Sequence, residues 1–148
     1  MAPLLQIILG STLLAYCAVL HVGAVAFSIP LFRKLTVRMP AGHRSPVKVV
    51  VFLLFSVFVL LAAHTVQIWT WAGVFVALGG FTDIETSFYF ATVTYTTLGY
   101  GDVVLGPDLR IVATFCAITG LLTFGISTAF LIGVLTRTMP DVFGDETS

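Results

Sequence analysis

Three long stretches of the chain are apolar almost throughout, at residues 3–31, 47–78 and 107–136. An α-helix rises about 1.5 Å per residue, so each stretch is long enough to cross a hydrocarbon layer about 30 Å thick. A fourth segment, residues 83–95, mixes polar and apolar positions and is too short to cross. We therefore expect an all-α membrane protein with three transmembrane helices and one short re-entrant helix. The non-helical chain after that helix must be buried by protein or lie beside water.

Proline, glycine and capping residues predict where these helices begin and end. Pro30 is expected to end the first helix, and the Gly-Gly-Phe of residues 79–81 to end the second. Thr82 and Glu85 have the spacing of a capping box, which makes Thr82 the expected N-cap of the short helix. Pro107 is expected in the first turn of the last helix, where its missing N–H is tolerated.

Composition agrees with a membrane environment. Of the 148 residues, 58% are hydrophobic and 9% are charged, and the mean hydropathy is +1.07, whereas soluble domains contain about 25% charged residues. The formal net charge is zero, so there is no electrostatic case for a nucleic-acid partner. Residues 1–30 have small residues at Ala24 and Ala26, as in a signal-peptide cleavage site, but no basic region precedes the apolar run. A retained transmembrane helix is expected instead.

Basic residues concentrate between the first two apolar stretches. The positive-inside rule places this loop in the cytoplasm, the N-terminus outside and the C-terminus in the cytoplasm. The loop is also a candidate contact for anionic lipid headgroups. Its five basic residues, out of seven in the chain, are Arg33, Lys34, Arg38, Arg44 and Lys48.

A few polar or reactive residues interrupt the apolar stretches. His21, His64 and Gln67 are expected to face protein rather than lipid. Structural hydrogen bonds to neighbouring helices are the expected role of the two histidines, and proton sensing is the alternative. Cys17 and Cys116 are expected to be small buried or lipid-facing residues rather than a disulfide.

Residues 94–102, Thr-Tyr-Thr-Thr-Leu-Gly-Tyr-Gly-Asp, begin in the last turn of the expected short helix and continue beyond it. Two glycines alternate with other residues here, and a positive φ at each would let successive carbonyls point the same way. A row of such carbonyls can replace the water around a monovalent cation. The stretch resembles the selectivity filter of potassium channels, usually TVGYGD, with Leu98 where valine is commonest. The matching residues are Thr97, Gly99, Tyr100, Gly101 and Asp102.

This resemblance covers about residues 50–136 and implies roles for individual positions. Asp102, Tyr89 and Thr96 are implied as supports of the filter. Tyr89 stands where the family has tryptophan, and Val93 where some members have glutamate, which puts the filter's stability and inactivation in question. Gly120 matches the hinge glycine of the inner helix, with tight helix packing as the alternative. The implied ion-binding residues are Thr97, Leu98, Gly99, Tyr100 and Gly101, with potassium at the first four.

The resemblance also implies an organisation and an assembly. A single filter segment cannot surround an ion and the chain has no internal repeat, so a homotetramer is expected. No cofactor is expected, and potassium is the transported ion. The expected parts are an additional N-terminal transmembrane helix (1–32), a basic cytoplasmic loop (33–48), a pore domain (49–136) and a short cytoplasmic tail (137–148).

Other functions share some of these features. A less selective monovalent cation channel would have the same architecture. A membrane enzyme or a non-conducting auxiliary subunit belongs to a different class, and an enzyme is not expected because the histidines and acids show no nucleophile–base or metal-ligand spacing. The chain lacks the repeated arginines of a voltage sensor, and residues 138–148 are too few for a ligand-binding domain. Gating is expected from membrane elements, lipids, pH or another protein, unless the pore leaks constitutively.

Overall fold

A computed structural model of the protein describes residues 1–37 and 46–138, with side chains for residues 1–30 and 50–136. Its four helices are α1 (Pro3–Val37), α2 (Pro46–Ala77), α3 (Ile84–Tyr95) and α4 (Arg110–Thr138). Three segments are long and apolar enough to cross a membrane, namely Pro3–Pro30, Val50–Ala77 and Arg110–Thr136. The prediction of an all-α chain with three spans and one short helix is confirmed for the described residues.

The predicted lipid contacts fall where side chains are not described. Arg38 and Arg44 lie outside the described residues, and Arg33, Lys34 and Lys48 lie in helical turns described by their backbone alone. Residues 139–148 of the predicted tail also lie outside the described part.

Helices α2 and α4 are the common partners of the other two helices. The short helix α3 packs against both of them, and α1 packs against the same two. The rings of Phe75 on α2 and Phe90 on α3 meet edge to face, with centroids 5.4 Å apart. Cys17 and Cys116 lie buried in this core as free thiols, in line with the expectation of small buried residues.

Helix α1 continues through Pro30 to Val37, so the prediction that this proline ends the helix is wrong. Proline removes one backbone donor, but membrane helices tolerate it where hydroxyl groups and neighbouring helices satisfy the freed carbonyls. The carbonyl freed by Pro30 is that of Ala26, four residues earlier. The nearby hydroxyl of the buried Ser28 donates to a different carbonyl, that of Val25, at 2.6 Å.

Helix α2 ends just before Gly79 and Gly80, as predicted. Gly79 has a φ of +72°, and its N–H donates to the Val76 carbonyl while the Gly80 N–H donates to the Phe75 carbonyl. These two bonds form a Schellman motif, which satisfies the last carbonyls of a helix. A Cβ on Gly80 would lie 2.6 Å from the Leu105 side chain, so glycine is needed here for space as well.

The N-cap of α3 is Asp83, so the prediction of Thr82 as the cap is wrong by one residue. Asp83 has extended backbone angles, and its carboxylate accepts the Thr86 N–H at 2.7 Å. That hydrogen bond holds the pKa of Asp83 below its usual value. Both residues are good caps by type, and only the backbone geometry chooses between them.

Helix α4 begins at Arg110, three residues later than predicted for a helix with Pro107 in its first turn. Pro107 lies instead in a turn closed by the Leu109 N–H and the Gly106 carbonyl at 3.1 Å. The buried Gln6 of α1 then accepts the Ile111 N–H at 3.2 Å. A side chain from another helix therefore satisfies one of the free donors at the start of α4.

Candidate functional site

The short helix α3 delivers the filter-like segment, defined as residues 97–102, from its C-terminal end. Thr96 is the C-cap and its N–H donates to the Thr92 carbonyl at 3.0 Å. The N–H groups of Leu98 and Gly99 both donate to the Val93 carbonyl, at 3.0 and 3.3 Å. The inner part of the segment is therefore tied to the last turn of α3 before the chain turns away.

The backbone φ angle alternates in sign at successive residues of this segment. Thr97, Gly99 and Gly101 have φ values of 61°, 57° and 78°, and Leu98 and Tyr100 between them are not positive. The prediction of positive φ at both glycines is confirmed. Thr97 was not predicted to share it, because a β-branched residue is strongly disfavoured in the left-handed region. No signal in the sequence other than its alternation with the two glycines points to that conformation.

The filter-like segment is exposed, although its first three N–H groups and the Asp102 carboxylate bond to α3. Leu98 is 58% exposed and Tyr100 68% exposed, although both side chains are large and apolar in character. In the described part of the chain, none of the carbonyls of residues 97–101 accepts a hydrogen bond. The segment is thus an exposed run of unpaired carbonyls at one side of the subunit.

Tyr89 and Asp102 meet behind the segment. The Tyr89 hydroxyl donates to Oδ2 of Asp102 at 2.6 Å, and Oδ1 of the same carboxylate accepts the Val103 N–H at 3.0 Å. The Tyr89 hydroxyl is the main reason that the pKa of Asp102 lies below its usual value. Two residues predicted as filter supports are therefore in direct contact, one on α3 and one at the C-terminal end of the segment.

A cavity of about 200 Å³ lies between α3 and the filter-like segment, and Val93 is one of its walls. Val93 is 8% exposed and offers no hydrogen bond to Asp102, which also lines the cavity. The carboxylate is therefore braced by the Tyr89 hydroxyl, with an apolar wall where a glutamate stands in some potassium channels.

Thr96, the third predicted support, is bonded to the helix rather than to the filter-like segment. Its hydroxyl donates to the Thr92 carbonyl at 2.8 Å and lies 3.3 Å from the Val93 carbonyl. The same two carbonyls, in the last turn of α3, also accept backbone N–H groups from residues 96, 98 and 99. Thr96 therefore fixes the end of α3, from which the segment departs.

Gly120 lies against the backbone where α3 ends. A Cβ at this position would be 1.9 Å from the carbonyl oxygen of Tyr95. The packing interpretation of Gly120 therefore has a direct structural basis, and the hinge interpretation stays a prediction.

His21, His64 and Gln67 come together in the interior, with hydrogen bonds to Tyr95 and Ser127. The prediction that the two histidines make structural contacts with neighbouring helices is confirmed, and proton sensing stays untested. Tyr95 and Ser127 were not predicted as members. Among the described residues, no group of three or more histidine, cysteine or carboxylate side chains is placed to hold a metal ion.

Comparison with known proteins agrees with this geometry. The model of a family described as ion channels matches residues 47–137, more than half of the chain, and the chain belongs to this family. The potassium voltage-gated channel protein shk-1 of Caenorhabditis elegans is 43% identical over 53 residues. Human potassium voltage-gated channel subfamily A members 10 and 7 are 42% identical over 53 residues and 44% identical over 55.

These matches are confined to part of each protein. They cover 35% of this chain and 10–12% of the relatives. No solved structure matches the chain. The resemblance to the potassium-channel pore family is confirmed, and the protein is a membrane protein of an ion-channel family rather than of an enzyme family.

Proposed function

We propose that four copies of this chain form a potassium-selective pore around a common axis. The observation that carries the proposal is the alternating positive φ at Thr97, Gly99 and Gly101 in an exposed segment whose carbonyls are unpaired. Such alternation turns successive carbonyls to one side, and four such rows can replace the water around a dehydrated potassium ion. The ion-binding carbonyls are those of Thr97, Leu98, Gly99 and Tyr100.

The helix before the segment adds an electrostatic contribution. Helix α3 ends at Tyr95, two residues before Thr97, and has no basic residue in its last turn. The C-terminal end of a helix carries a partial negative charge, which favours a cation nearby. Four such ends around an axis would stabilise an ion that has just left water. No resident cofactor is required, since potassium itself is the transported ion.

The orientation and lipid contacts follow from charge distribution. We place the N-terminus outside and the C-terminus in the cytoplasm, because the basic residues concentrate between α1 and α2. Anionic lipid headgroups are the proposed partners of Arg33, Lys34, Arg38, Arg44 and Lys48.

Reconstitution into bilayers under opposed potassium and sodium gradients tests the proposal. A reversal potential close to the potassium equilibrium value is expected, and a value near zero would reject selectivity. Gly99→Ala should abolish potassium-selective current, because alanine is strained at a φ of +57°. Gly73→Ala is the matched control, since this glycine lies in α2 with nothing within 4 Å of an added Cβ.

A less selective cation channel is the second candidate. Val93 leaves Asp102 without the carboxylic acid neighbour of some potassium channels, and a cavity of about 200 Å³ adjoins the segment. A loosely supported filter would discriminate less sharply between ions of different size. The same reversal potential separates the two candidates.

A further inference from the structure

Five buried side chains from all four helices form a closed loop of hydrogen bonds, here called the polar ring. The amide nitrogen of Gln67 lies 3.0 Å from Nδ1 of His21, and Nε2 of His21 lies 3.0 Å from the Ser127 hydroxyl. The same hydroxyl lies 3.0 Å from Nε2 of His64. The Tyr95 hydroxyl closes the loop, 2.8 Å from Nδ1 of His64 and donating to Oε1 of Gln67 at 3.0 Å.

The proton positions in the ring can be assigned from its contacts. The Ser127 hydroxyl donates to the Thr123 carbonyl at 2.9 Å, so its oxygen accepts from Nε2 of both imidazoles. Nδ1 of His21 then accepts from the Gln67 amide, so His21 is neutral. A neutral His64 competes with Oε1 of Gln67 for the single proton of the Tyr95 hydroxyl. Among the buried polar side chains described, none is a carboxylate, lysine or arginine. A neutral ring suits this interior, because an unpaired buried charge is strongly unfavourable.

Tyr95 is the member that touches the filter side of the molecule. It is the last residue of α3, two positions before Thr97, and its side chain is fully buried. Its hydroxyl also lies 2.7 Å from Oγ1 of Thr123 on α4, and its carbonyl lies against Gly120. Both ends of the residue are therefore fixed, the hydroxyl by α2 and α4 and the backbone by α4.

His21 is the member that brings in α1. This helix lies outside the matched ion-channel region of residues 47–137, and among the described residues none of its α carbons lies within 8 Å of one in α3. Through Gln67, however, His21 is one side chain removed from the Tyr95 hydroxyl. Through Ser127 and His64 it is two side chains removed. The ring is thus a direct polar connection from α1 to the end of α3.

From this geometry we infer that Tyr95 is a positioning residue for the filter. We also infer that His21, through the polar ring, makes α1 part of the structure that holds the end of α3. The inference rests on the proposed filter at Thr97–Tyr100. Without the ring, the end of α3 would keep its apolar packing but lose the directional bonds that fix where Thr97 begins. Loss of these bonds should widen the range of filter geometries, which lowers discrimination between potassium and sodium.

Tyr95→Phe tests the first part, because it removes only the hydroxyl. We expect a fall of about tenfold in the potassium-to-sodium permeability ratio, since a lost buried hydrogen bond leaves its partners unsatisfied. Amide hydrogen exchange over residues 92–102 should rise in the same variant, while exchange in residues 50–60 stays unchanged. Tyr16→Phe is the matched control, because this tyrosine lies on α1 and is 54% exposed.

His21 variants test the second part. His21→Leu removes both of its ring bonds and should raise exchange over residues 96–99, although the substitution lies on another helix. His21→Gln keeps an amide that can reach Ser127 and should restore part of the wild-type permeability ratio. If Tyr95→Phe prevents folding, Thr123→Val removes one partner of the Tyr95 hydroxyl with a side chain of similar size. Its expected result is the same rise in exchange over residues 92–102.

The outcomes separate this inference from the proposed function. A wild-type protein without potassium preference would reject the proposed selectivity, and hydrogen exchange would still report the connection between the ring and the filter-like segment. If Tyr95→Phe or its substitute matches Tyr16→Phe in both measurements, the positioning role of Tyr95 is wrong. If only His21→Leu matches the control, α1 does not help to hold the end of α3.

Discussion

The α carbon of Gly120 on α4 faces the carbonyl oxygen of Tyr95 so closely that an added Cβ would lie 1.9 Å from it. Because the clash is with backbone at the end of α3, no side-chain rotation can relieve it. The two helices can approach this closely only while residue 120 is glycine.

Gly120→Ala is therefore expected to destabilise the protein by about 1–3 kcal/mol, as other small-to-large changes in packed interiors do. Thermal unfolding of the purified protein in detergent would measure this. Gly125→Ala, on the same helix with nothing within 4 Å of its added Cβ, should leave the melting temperature nearly unchanged. Equal melting temperatures for the two variants would contradict the packing role.

Asp83→Ala is expected to lower the melting temperature, because the Thr86 N–H at the start of α3 loses its acceptor. Thr82→Ala should have a smaller effect, since Thr82 does not cap the helix. The comparison by thermal unfolding distinguishes the observed cap from the capping box suggested by the sequence. A larger effect at Thr82 would mean that the helix begins one residue earlier.

Gln6→Leu is expected to loosen the contact between α1 and α4. The substitution leaves the Ile111 N–H without its acceptor, a loss of about 1–3 kcal/mol. Gln6→Glu keeps an acceptor oxygen and places a negative charge at the start of a helix, so it should retain most of the stability. Denaturant unfolding of both variants would show the difference, and equal losses would argue against the role of this acceptor.

Tyr89→Phe is expected to make the channel more sensitive to external acid. The Tyr89 hydroxyl holds the pKa of Asp102 below its usual value, so it stabilises the carboxylate form. A carboxyl group whose pKa is lowered in the folded protein supplies its full stabilisation at pH values above its ordinary pKa. This stabilisation is lost as the pH falls through the lowered pKa. Removing the hydroxyl raises the pKa of Asp102, so the loss of current in acid should begin at a higher pH.

Titration of the current against external pH measures this shift. The wild type should keep its current to a lower pH than Tyr89→Phe, and Tyr16→Phe should follow the wild type. Identical titration curves for the wild type and Tyr89→Phe would show that the Tyr89–Asp102 contact does not support conduction.

The spans of the fold were predictable because a membrane requires long apolar runs. The predicted second helix, residues 47–78, differs by one residue at each end from the observed Pro46–Ala77. Boundaries set by local geometry were less predictable. Thr82 and Asp83 are both capping residues by type. Proline ends most helices in water but is tolerated in membrane helices, as at Pro30.

In the candidate site, too, features set by residue type were predictable and features set by the surrounding structure were not. Positive φ at Gly99 and Gly101 follows from the residue type, whereas positive φ at Thr97 is imposed by its surroundings against the preference of a β-branched residue. The polar ring was beyond sequence reasoning, because Ser127 and His21 are separated by 106 positions. Only the packing of α1 against α4 brings them together.

Thr97 has a consequence for assembly. A threonine held in the left-handed region is strained by about 1–3 kcal/mol, and such strain persists only where neighbouring groups enforce it. In one subunit those neighbours are the bonds to Val93 and Thr94 at the end of α3, and the outward side of the segment is bare. In the proposed tetramer, three further subunits would enclose that side, so oligomerisation and the ordering of the conducting path become a single cooperative step.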